Sequence, residues 1–198
     1  MSTVTAVPLQ PVKRSYKVWL WLGVIAAIAL AAAGAWYGTR TAAMAAMTNE
    51  QFLDWNKTRS GVKVTPAGVQ YEVLKEGEGA PLADGQGAYV AYEGRLRDGK
   101  LFDKSREPVM FPVMQGATVP GFYDALKVMK KGGEYRIWIP AELGYGERTP
   151  DPNRLPPNSI LVFKMTIDRV LSQQEMQAMI QQMMMQRQMQ GGGGMPGQ

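Results

Sequence analysis

Aromatic and apolar residues recur in this chain at places where turns and strand ends are expected. They stand in five short strings: 101–103 (LFD), 119–122 (VPGF), 143–146 (LGYG), 155–158 (LPPN) and 161–163 (LVF). Loops are usually polar and solvated, so apolar residues repeated in them predict the wall of a binding pocket. Chemistry in such a pocket would depend on its shape and on the exclusion of water.

The residue types that are missing narrow this chemistry further. The 198 residues include no histidine and no cysteine. Without cysteine there are no disulfides, thiol nucleophiles or thiolate metal sites, and without histidine the commonest general base and transition-metal ligand is missing. These absences exclude histidine triads, zinc hydrolases of the usual kind and two-histidine iron sites. We therefore expect a pocket that needs no metal and no cofactor.

The net charge of +5 is concentrated at one end of the chain. Residues 1–17 carry three positive charges and no negative one, whereas residues 50–169 carry 17 Lys/Arg against 16 Asp/Glu. A nucleic-acid-binding domain concentrates positive charge on itself. The nearly neutral central region therefore predicts no nucleic-acid partner.

The segment 18–37 has the length and composition of a transmembrane anchor. Its 20 residues carry no charge, and at ~1.5 Å per residue they span a hydrocarbon core of ~30 Å. Trp19 and Trp21 at one end and Trp36 and Tyr37 at the other are typical of interfacial aromatic belts. The positive charges that precede the run predict a cytoplasmic N-terminus (residues 1–17), a single pass through the inner membrane and a periplasmic remainder.

A cleaved signal peptide is the alternative interpretation of this segment. The small residues 31–33 are suitable for a processing site, and a periplasmic protein would then be released. The apolar run is longer than the ~7–15 residues of a signal-peptide core, and aromatic residues close it. This favours the uncleaved anchor.

The rest of the chain predicts a linker, a sheet and a tail. Residues 38–60 are interpreted as a small-residue linker followed by a short helix, which opens with the capping box Thr48–Gln51. Alternation of period two from Val69 predicts strands, with others at 88–96, 100–103, 109–113, 134–139 and 160–171 and a hairpin turn at Asp98–Gly99. A single helix is predicted over 122–130, ended by Gly132–Gly133.

The expected architecture is therefore of the α+β class, an antiparallel sheet with one short helix against it. The tail, residues 172–198, is rich in Gln, Met and Gly. Met176, Met179, Ile180 and Met183 fall at helical spacing, which predicts a helix that binds clients, self-associates or is a low-complexity extension. The final glycine run is predicted to be disordered.

Five short strings of the sequence closely resemble those of the FKBP-type peptidyl-prolyl cis-trans isomerases, and among them the bacterial branch that includes the macrophage infectivity potentiators. The resemblance runs from about Phe52 to Leu171. It includes 68–71 (GVQY), 98–103 (DGKLFD), 119–121 (VPG), 143–146 (LGYG) and 155–158 (LPPN). Any one string is weak evidence, whereas five in the same order over about 100 residues are specific.

The resemblance implies a half-wrapped antiparallel sheet around a short helix over residues 61–171, with a proline pocket between sheet and helix. The walls of the pocket would be Tyr92, Phe102, Val119, Tyr145 and Phe163. Phe122 would form its floor and Leu155 its rim. The Val119 N–H and the Tyr145 hydroxyl would each hold a substrate carbonyl, and Asp103 would lie beside the reacting amide.

The resemblance also implies an enzyme that isomerises Xaa–Pro bonds in proline-containing polypeptides while they fold outside the cytoplasm, and that binds ligands of the FK506 and rapamycin type. The alternative is a module at the membrane that binds proline segments without catalysis. Clients, the preferred residue before proline and the oligomeric state stay open.

Two residues, the partner of the pocket aspartate and one loop depart from the family pattern. Phe122 stands where most active members have tryptophan, and Val109 stands where vertebrate members have an aromatic wall. Arg106 is the candidate partner for the pocket aspartate. The segment 147–154 is longer and more charged than usual. The resemblance therefore predicts a pocket slightly smaller than that of other members.

Overall fold

The structure is a computed structural model that describes residues 14–191. The chain divides into two compact units, one ending at Met47 and the other beginning at Thr48. Residues 1–13, most of the predicted cytoplasmic segment, lie outside the described residues. Residues 192–198, most of the glycine run predicted to be disordered, lie outside them as well.

The first unit is one long helix, α1 (Arg14–Ala46). Within it, Val18–Trp36 is long and apolar enough to cross a membrane and is exposed to solvent throughout. An apolar N-terminal helix is therefore present, as predicted, and it fits a membrane span or a signal sequence. Residues 41–46, which we interpreted as linker, continue α1; four of them are alanine, the strongest helix former.

The second unit contains seven strands, three α-helices and one short 3-10 helix (Ala141–Leu143) among the described residues. In chain order the strands and α-helices are α2 (Asn49–Asn56), β1 (Val62–Val64), β2 (Gln70–Lys75), β3 (Gly87–Leu96), β4 (Leu101–Lys104), β5 (Val109–Pro112), α3 (Pro120–Leu126), β6 (Glu134–Ile139), β7 (Leu161–Leu171) and α4 (Gln173–Gly191). The strands form one antiparallel sheet in the order β1-β2-β6-β7-β3-β4, and β5 also pairs with β3. The predicted α+β class, an antiparallel sheet with a short helix, is confirmed.

One strand was not predicted, and one helix differs from its predicted bounds. β1 was missed because it is only three residues long, too short for an alternating pattern. The helix predicted over 122–130 spans Pro120–Leu126, and the chain then turns, with the Met129 N–H donating to the Leu126 carbonyl at 3.1 Å. Met129 is nevertheless fully buried. The apolar spacing therefore predicted correctly that Met129 is buried, but it predicted a helix that is too long.

Close contact between α3 and β6 depends on a glycine. Pro120 occupies the first helical turn, where its missing N–H costs nothing. A Cβ atom on Gly121 would lie 2.3 Å from Cγ2 of Ile139, closer than any van der Waals contact. Glycine at this position lets α3 lie directly against the sheet, and Phe122 is thereby directed into the core, where it is 5% exposed.

Helix α2 lies in the same compact unit as the sheet, although the sequence grouped it with the linker. Its predicted capping box is present, because Thr48 and Gln51 each bond the other's backbone N–H. Asn56 is fully buried and donates from Nδ2 to Oε1 of Gln70 at 2.8 Å, and Gln70 donates to the Leu53 carbonyl at 2.8 Å. Buried polar groups paired in this way hold α2 in one position on β2.

Candidate active site

Five aromatic rings form a connected group between α3 and the sheet, which we call the aromatic cluster. The ring centroid of Phe122 lies 4.9 Å from that of Phe111, 5.5 Å from that of Phe163 and 6.4 Å from that of Tyr92. Phe163 in turn lies 5.6 Å from Phe102 and 6.0 Å from Tyr92. Most of these pairs are edge-to-face, the favoured geometry of aromatic contacts. The structure therefore brings together four residues that the sequence predicted for the pocket: Tyr92, Phe102, Phe122 and Phe163.

The close approach of two of these rings requires a glycine on β3. A Cβ atom on Gly94 would lie 2.7 Å from Cζ of Phe102 and 2.8 Å from Cε1 of Phe163. Gly94 is paired with Asp103 on β4 and with Phe163 on β7. One small residue at the centre of three paired strands thus leaves the space that the rings occupy.

Tyr92 and Asp103 form the polar part of the cluster. The Tyr92 hydroxyl donates a hydrogen bond to Oδ2 of Asp103 at 2.9 Å. The Tyr92 ring is half-buried, whereas Asp103 is exposed. The antiparallel pairing of β3 with β4 places these residues together, since Asp103 lies opposite Gly94, two residues from Tyr92. The structure therefore places an oriented carboxylate at the edge of an aromatic group.

This environment raises the pKa of the Tyr92 hydroxyl from its ordinary value of 10.0 to about 12. Burial is the largest cause, followed by the hydrogen bond to Asp103 and its negative charge, and then by the neighbouring Tyr145. Both burial and a nearby carboxylate disfavour the phenolate. The hydroxyl therefore stays protonated, and stays a donor, at neutral pH.

We expect the Tyr92→Phe variant to lose a tyrosine that titrates near pH 12. Because the folded-state pKa is raised, the contribution of Tyr92 to stability is complete below pH 10 and is lost as the pH rises through about 12. The ultraviolet absorbance of the phenolate, recorded for wild type and variant from pH 8 to pH 13, measures the difference. A missing step centred near pH 10 would contradict the prediction.

Phe111 is a member of the aromatic cluster that the sequence analysis missed. Its ring lies against Phe122 and 5.9 Å from Tyr92. The sequence comparison considered Val109 as the wall position, but Val109 is 42% exposed. Residues two apart on a strand share a face, so β5 supplies an aromatic ring from Phe111 instead. The ring of Phe111 therefore fills part of the space that the sequence analysis expected to be left by a valine at 109.

Val119 lies directly before α3 with extended backbone geometry (φ −58°, ψ 144°). Its side chain is half-buried and packs against the core. Its carbonyl accepts hydrogen bonds from the N–H groups of Phe122 and Tyr123 at 3.0 and 3.2 Å. Within residues 14–191, its own N–H has no protein acceptor, so this N–H can donate to a bound carbonyl.

Tyr145 lies in a loop whose two ends are tied together. Gly146 has a φ of +57° and Asn158 a φ of +56°, and the Asn158 N–H donates to the Gly146 carbonyl at 2.7 Å. Glycine and asparagine tolerate this left-handed region best, which accounts for both residues in the LGYG and LPPN strings. Tyr145 is 39% exposed and is the smallest of the causes that raise the pKa of Tyr92.

Leu155 and Arg154 connect this loop to the cluster. Leu155, predicted for the rim, is 3% exposed and packs in the core with the aromatic residues. Arg154 donates from its guanidinium to the Phe102 carbonyl at 2.8 Å. Arg106 was the sequence candidate for pairing with Asp103, but the donors that the structure gives to this carboxylate are the Tyr92 hydroxyl at 2.9 Å and the Lys104 backbone N–H at 2.8 Å.

Comparison with known proteins identifies the family. The model described as "FKBP-type peptidyl-prolyl cis-trans isomerase" matches residues 79–168, and the model described as the "domain amino terminal to FKBP-type peptidyl-prolyl isomerase" matches residues 29–73. The crystal structure of FkpA from Escherichia coli is 32% identical, with a TM-score of 0.57, and the match covers 79% of this chain and 72% of that one. The chain belongs to the FKBP-type isomerase family.

Other members of the FKBP family match in the same region. A crystal structure of a peptidyl-prolyl cis-trans isomerase from Pseudomonas syringae is 30% identical over 63% of this chain and 91% of its own, with a TM-score of 0.58. A probable FkpA from Neisseria meningitidis is 38% identical over 124 residues, which is 61% of this chain and 44% of that protein. The chain spans between 44% and 59% of the length of this and two further curated relatives. The family resemblance read from the five strings is thus confirmed.

Proposed function

We propose that this chain is a peptidyl-prolyl cis-trans isomerase that acts on proline-containing polypeptides as they fold. The observation that carries the proposal is the aromatic cluster with the Tyr92–Asp103 hydrogen bond at its edge. Membership of the FKBP family supports the same reaction. The residues of the cluster supply an apolar surface and a small number of oriented polar groups.

The reaction suits such a surface because it breaks no covalent bond. Rotation about an Xaa–Pro bond is opposed by a barrier of about 18–20 kcal/mol, since resonance gives the amide partial double-bond character. Water stabilises the planar, charge-separated amide more than the twisted one. Transfer of the prolyl ring onto the aromatic cluster removes this advantage of the planar form, while fixed hydrogen bonds hold the flanking chain.

Three polar groups are assigned to substrate. The Val119 N–H donates to one substrate carbonyl, and the Tyr145 hydroxyl donates to a second. Asp103 lies beside the reacting amide, where its carboxylate is held by the Tyr92 hydroxyl at 2.9 Å. The carbonyl carbon becomes more electron-poor as the amide twists and loses resonance, so a fixed negative charge beside it stabilises the twisted form.

The proposal is tested with the full chain in phospholipid nanodiscs and a short Xaa–Pro peptide whose isomerisation is followed by protease coupling. We expect wild type to accelerate isomerisation and Tyr145→Phe, which loses one hydrogen bond, to reduce kcat/KM by about tenfold. Binding of the peptide without acceleration would overturn the enzymatic proposal and leave the non-catalytic binding module. Empty nanodiscs provide the control.

We further propose that α1 anchors the chain in the inner membrane by a single pass, with residues 1–17 in the cytoplasm and the second unit in the periplasm. The proposal rests on the uncharged segment Val18–Trp36 and on the positive charges before it. Protease added to spheroplasts should degrade the second unit, whereas protease added to intact cells should not. Recovery of a soluble periplasmic form that lacks α1 would show a cleaved signal instead.

A further inference from the structure

An apolar groove of about 310 Å³ lies between the end of β5 and the first turns of α4. Pro112, Val113 and Met114 form one side, and Met176 and Ile180 form the other. Its lining includes no charged side chain. Met114 is 57% exposed and Ile180 is 42% exposed, so the groove presents apolar side chains to solvent.

The α4 side of the groove is fixed in place by contacts of the first helical turns. Gln173 donates from Nε2 to the Asp84 carbonyl at 2.7 Å, and the Met176 side chain is only 6% exposed. A Cβ atom on Gly87 would lie 2.4 Å from Sδ of Met176, so the glycine at the start of β3 makes room for this methionine. The N-terminal part of α4 is therefore docked on the second unit.

The apolar surface continues along α4 beyond the groove. Ile180 lines the groove and also a second hollow of about 500 Å³, which Met183 and Met184 line as well. Met183 is 53% exposed and Met184 is 64% exposed. We call the surface formed by Met114, Ile180 and Met183, with the two hollows beside them, the methionine track.

The methionine track begins close to the aromatic cluster. Phe111 belongs to the cluster, and the groove residues Pro112 to Met114 follow it directly in the chain. At about 3.3 Å per residue, three residues of extended chain cover roughly 10 Å. Pro112 follows Phe111 on β5 and so faces the other side of the strand. A polypeptide with a proline at the cluster would therefore reach the groove by crossing β5.

We propose that the methionine track binds apolar side chains of the same unfolded polypeptide whose proline occupies the aromatic cluster. This inference rests on the proposed function and extends it from a site for one residue to a site for a segment. Methionine side chains are flexible and polarisable, so they adapt to apolar partners of different shape. No charged side chain lines the groove, and Arg187 is the one charged residue that lines the second hollow, so the track is suited to apolar partners more than to partners recognised by charge.

The composition and geometry of α4 disfavour two other occupants. Met176, the first residue of the helically spaced stripe, is only 6% exposed because it is already packed on the second unit, so the stripe left for a second copy is shorter than the roughly three to four heptads of a coiled coil. Helices that lie on membranes carry a polar face rich in Lys and Arg. Arg187 is the one Lys or Arg in α4. An unfolded apolar segment is the occupant that remains.

The test compares a triple variant, Met114→Gln with Ile180→Gln and Met183→Gln, with the control Met185→Gln. Met185 is 65% exposed and lies on the other side of α4. The full chain in nanodiscs is assayed first on a short Xaa–Pro peptide and then on an unfolded protein whose refolding is limited by prolyl isomerisation. We expect the triple variant to retain the peptide kcat/KM within twofold and to lose about tenfold in catalysis of refolding, through a higher KM.

The outcomes separate this inference from the proposed function. Equal catalysis of refolding by wild type, control and triple variant would overturn the methionine track. An equal loss in the control would also overturn it. A change in oligomer size by light scattering, with refolding catalysis unchanged, would assign the surface to a second copy. If the wild-type chain does not accelerate isomerisation of the short peptide, the proposed function is wrong. The methionine track would still be supported if wild type and the Met185→Gln control bind the unfolded protein and the triple variant does not.

Discussion

Replacing Asp103 by valine is expected to lower kcat/KM for a short Xaa–Pro peptide by a factor on the order of 10². Valine keeps nearly the shape of the side chain but removes the carboxylate that the Tyr92 hydroxyl holds at 2.9 Å. The twisted amide then loses a fixed negative charge beside it. The half-buried Tyr92 hydroxyl loses its acceptor at the same time. Protease-coupled kinetics at several peptide concentrations measure the effect on kcat and KM separately.

Two further variants show whether the effect belongs to the carboxylate or to the fold. Asp168→Val is the matched control, because Asp168 is an exposed aspartate on β7, and we expect its kcat/KM to stay close to wild type. Tyr92→Phe leaves the carboxylate and its hydrogen bond from the Lys104 backbone N–H but removes the bond from the hydroxyl, so its effect should lie between those of the other two variants. Equal activity of Asp103→Val and Asp168→Val would remove the carboxylate from the mechanism.

The sequence named candidate residues for the site but not their arrangement. Tyr92 and Asp103 were both assigned to the pocket, but their hydrogen bond depends on the register of β3 on β4, which shifts between Gly94 and Arg95. A register shift is set by pairing across the sheet, and no local pattern of apolar residues encodes it. The family resemblance suggested an arginine as the partner of Asp103, with Arg106 as the candidate, and did not point to the hydrogen bond from Tyr92.

Phe111 shows a second limit of the sequence. Alternation along 109–113 predicted a strand, but both Val109 and Phe111 fall on one face of it. Only the packing of β5 beside α3 places Phe111 against Phe122 while Val109 stays exposed. The elements themselves were easier to predict. Long strands such as β3 and β7 repeat the alternation of buried and exposed residues several times, whereas the three-residue β1 is too short to show it.

The packing of α2 on the sheet also could not be predicted from the sequence. The capping box of α2 is local and was predicted, because Thr48 and Gln51 are three residues apart. The pair Asn56–Gln70 that fastens α2 joins residues 14 apart through buried amides. Polar residues of this kind are usually assigned to the surface. A sequence pattern therefore places α2 in a linker, and only the structure shows it as part of the second unit.

Replacing Phe163 by alanine is expected to cost both stability and activity. Phe163 is 6% exposed and contacts the rings of Tyr92, Phe102 and Phe122. Removal of a buried phenylalanine side chain costs about 3–5 kcal/mol. The cavity would also admit water beside the proposed proline site, so we expect kcat/KM to fall by a factor on the order of 10² as well. Urea unfolding followed by tryptophan fluorescence measures the stability loss.

Phe52→Ala separates the two effects of Phe163→Ala. Phe52 is buried to the same degree, at 7% exposure, but it packs in α2 against Trp55 and under the guanidinium of Arg97. Its loss should destabilise the second unit by a similar amount while kcat/KM, measured where both variants are folded, stays within about threefold of wild type. If Phe52→Ala lowered activity as much as Phe163→Ala, the loss would follow from reduced stability. A large loss confined to Phe163→Ala requires that the ring itself excludes water from the twisting amide.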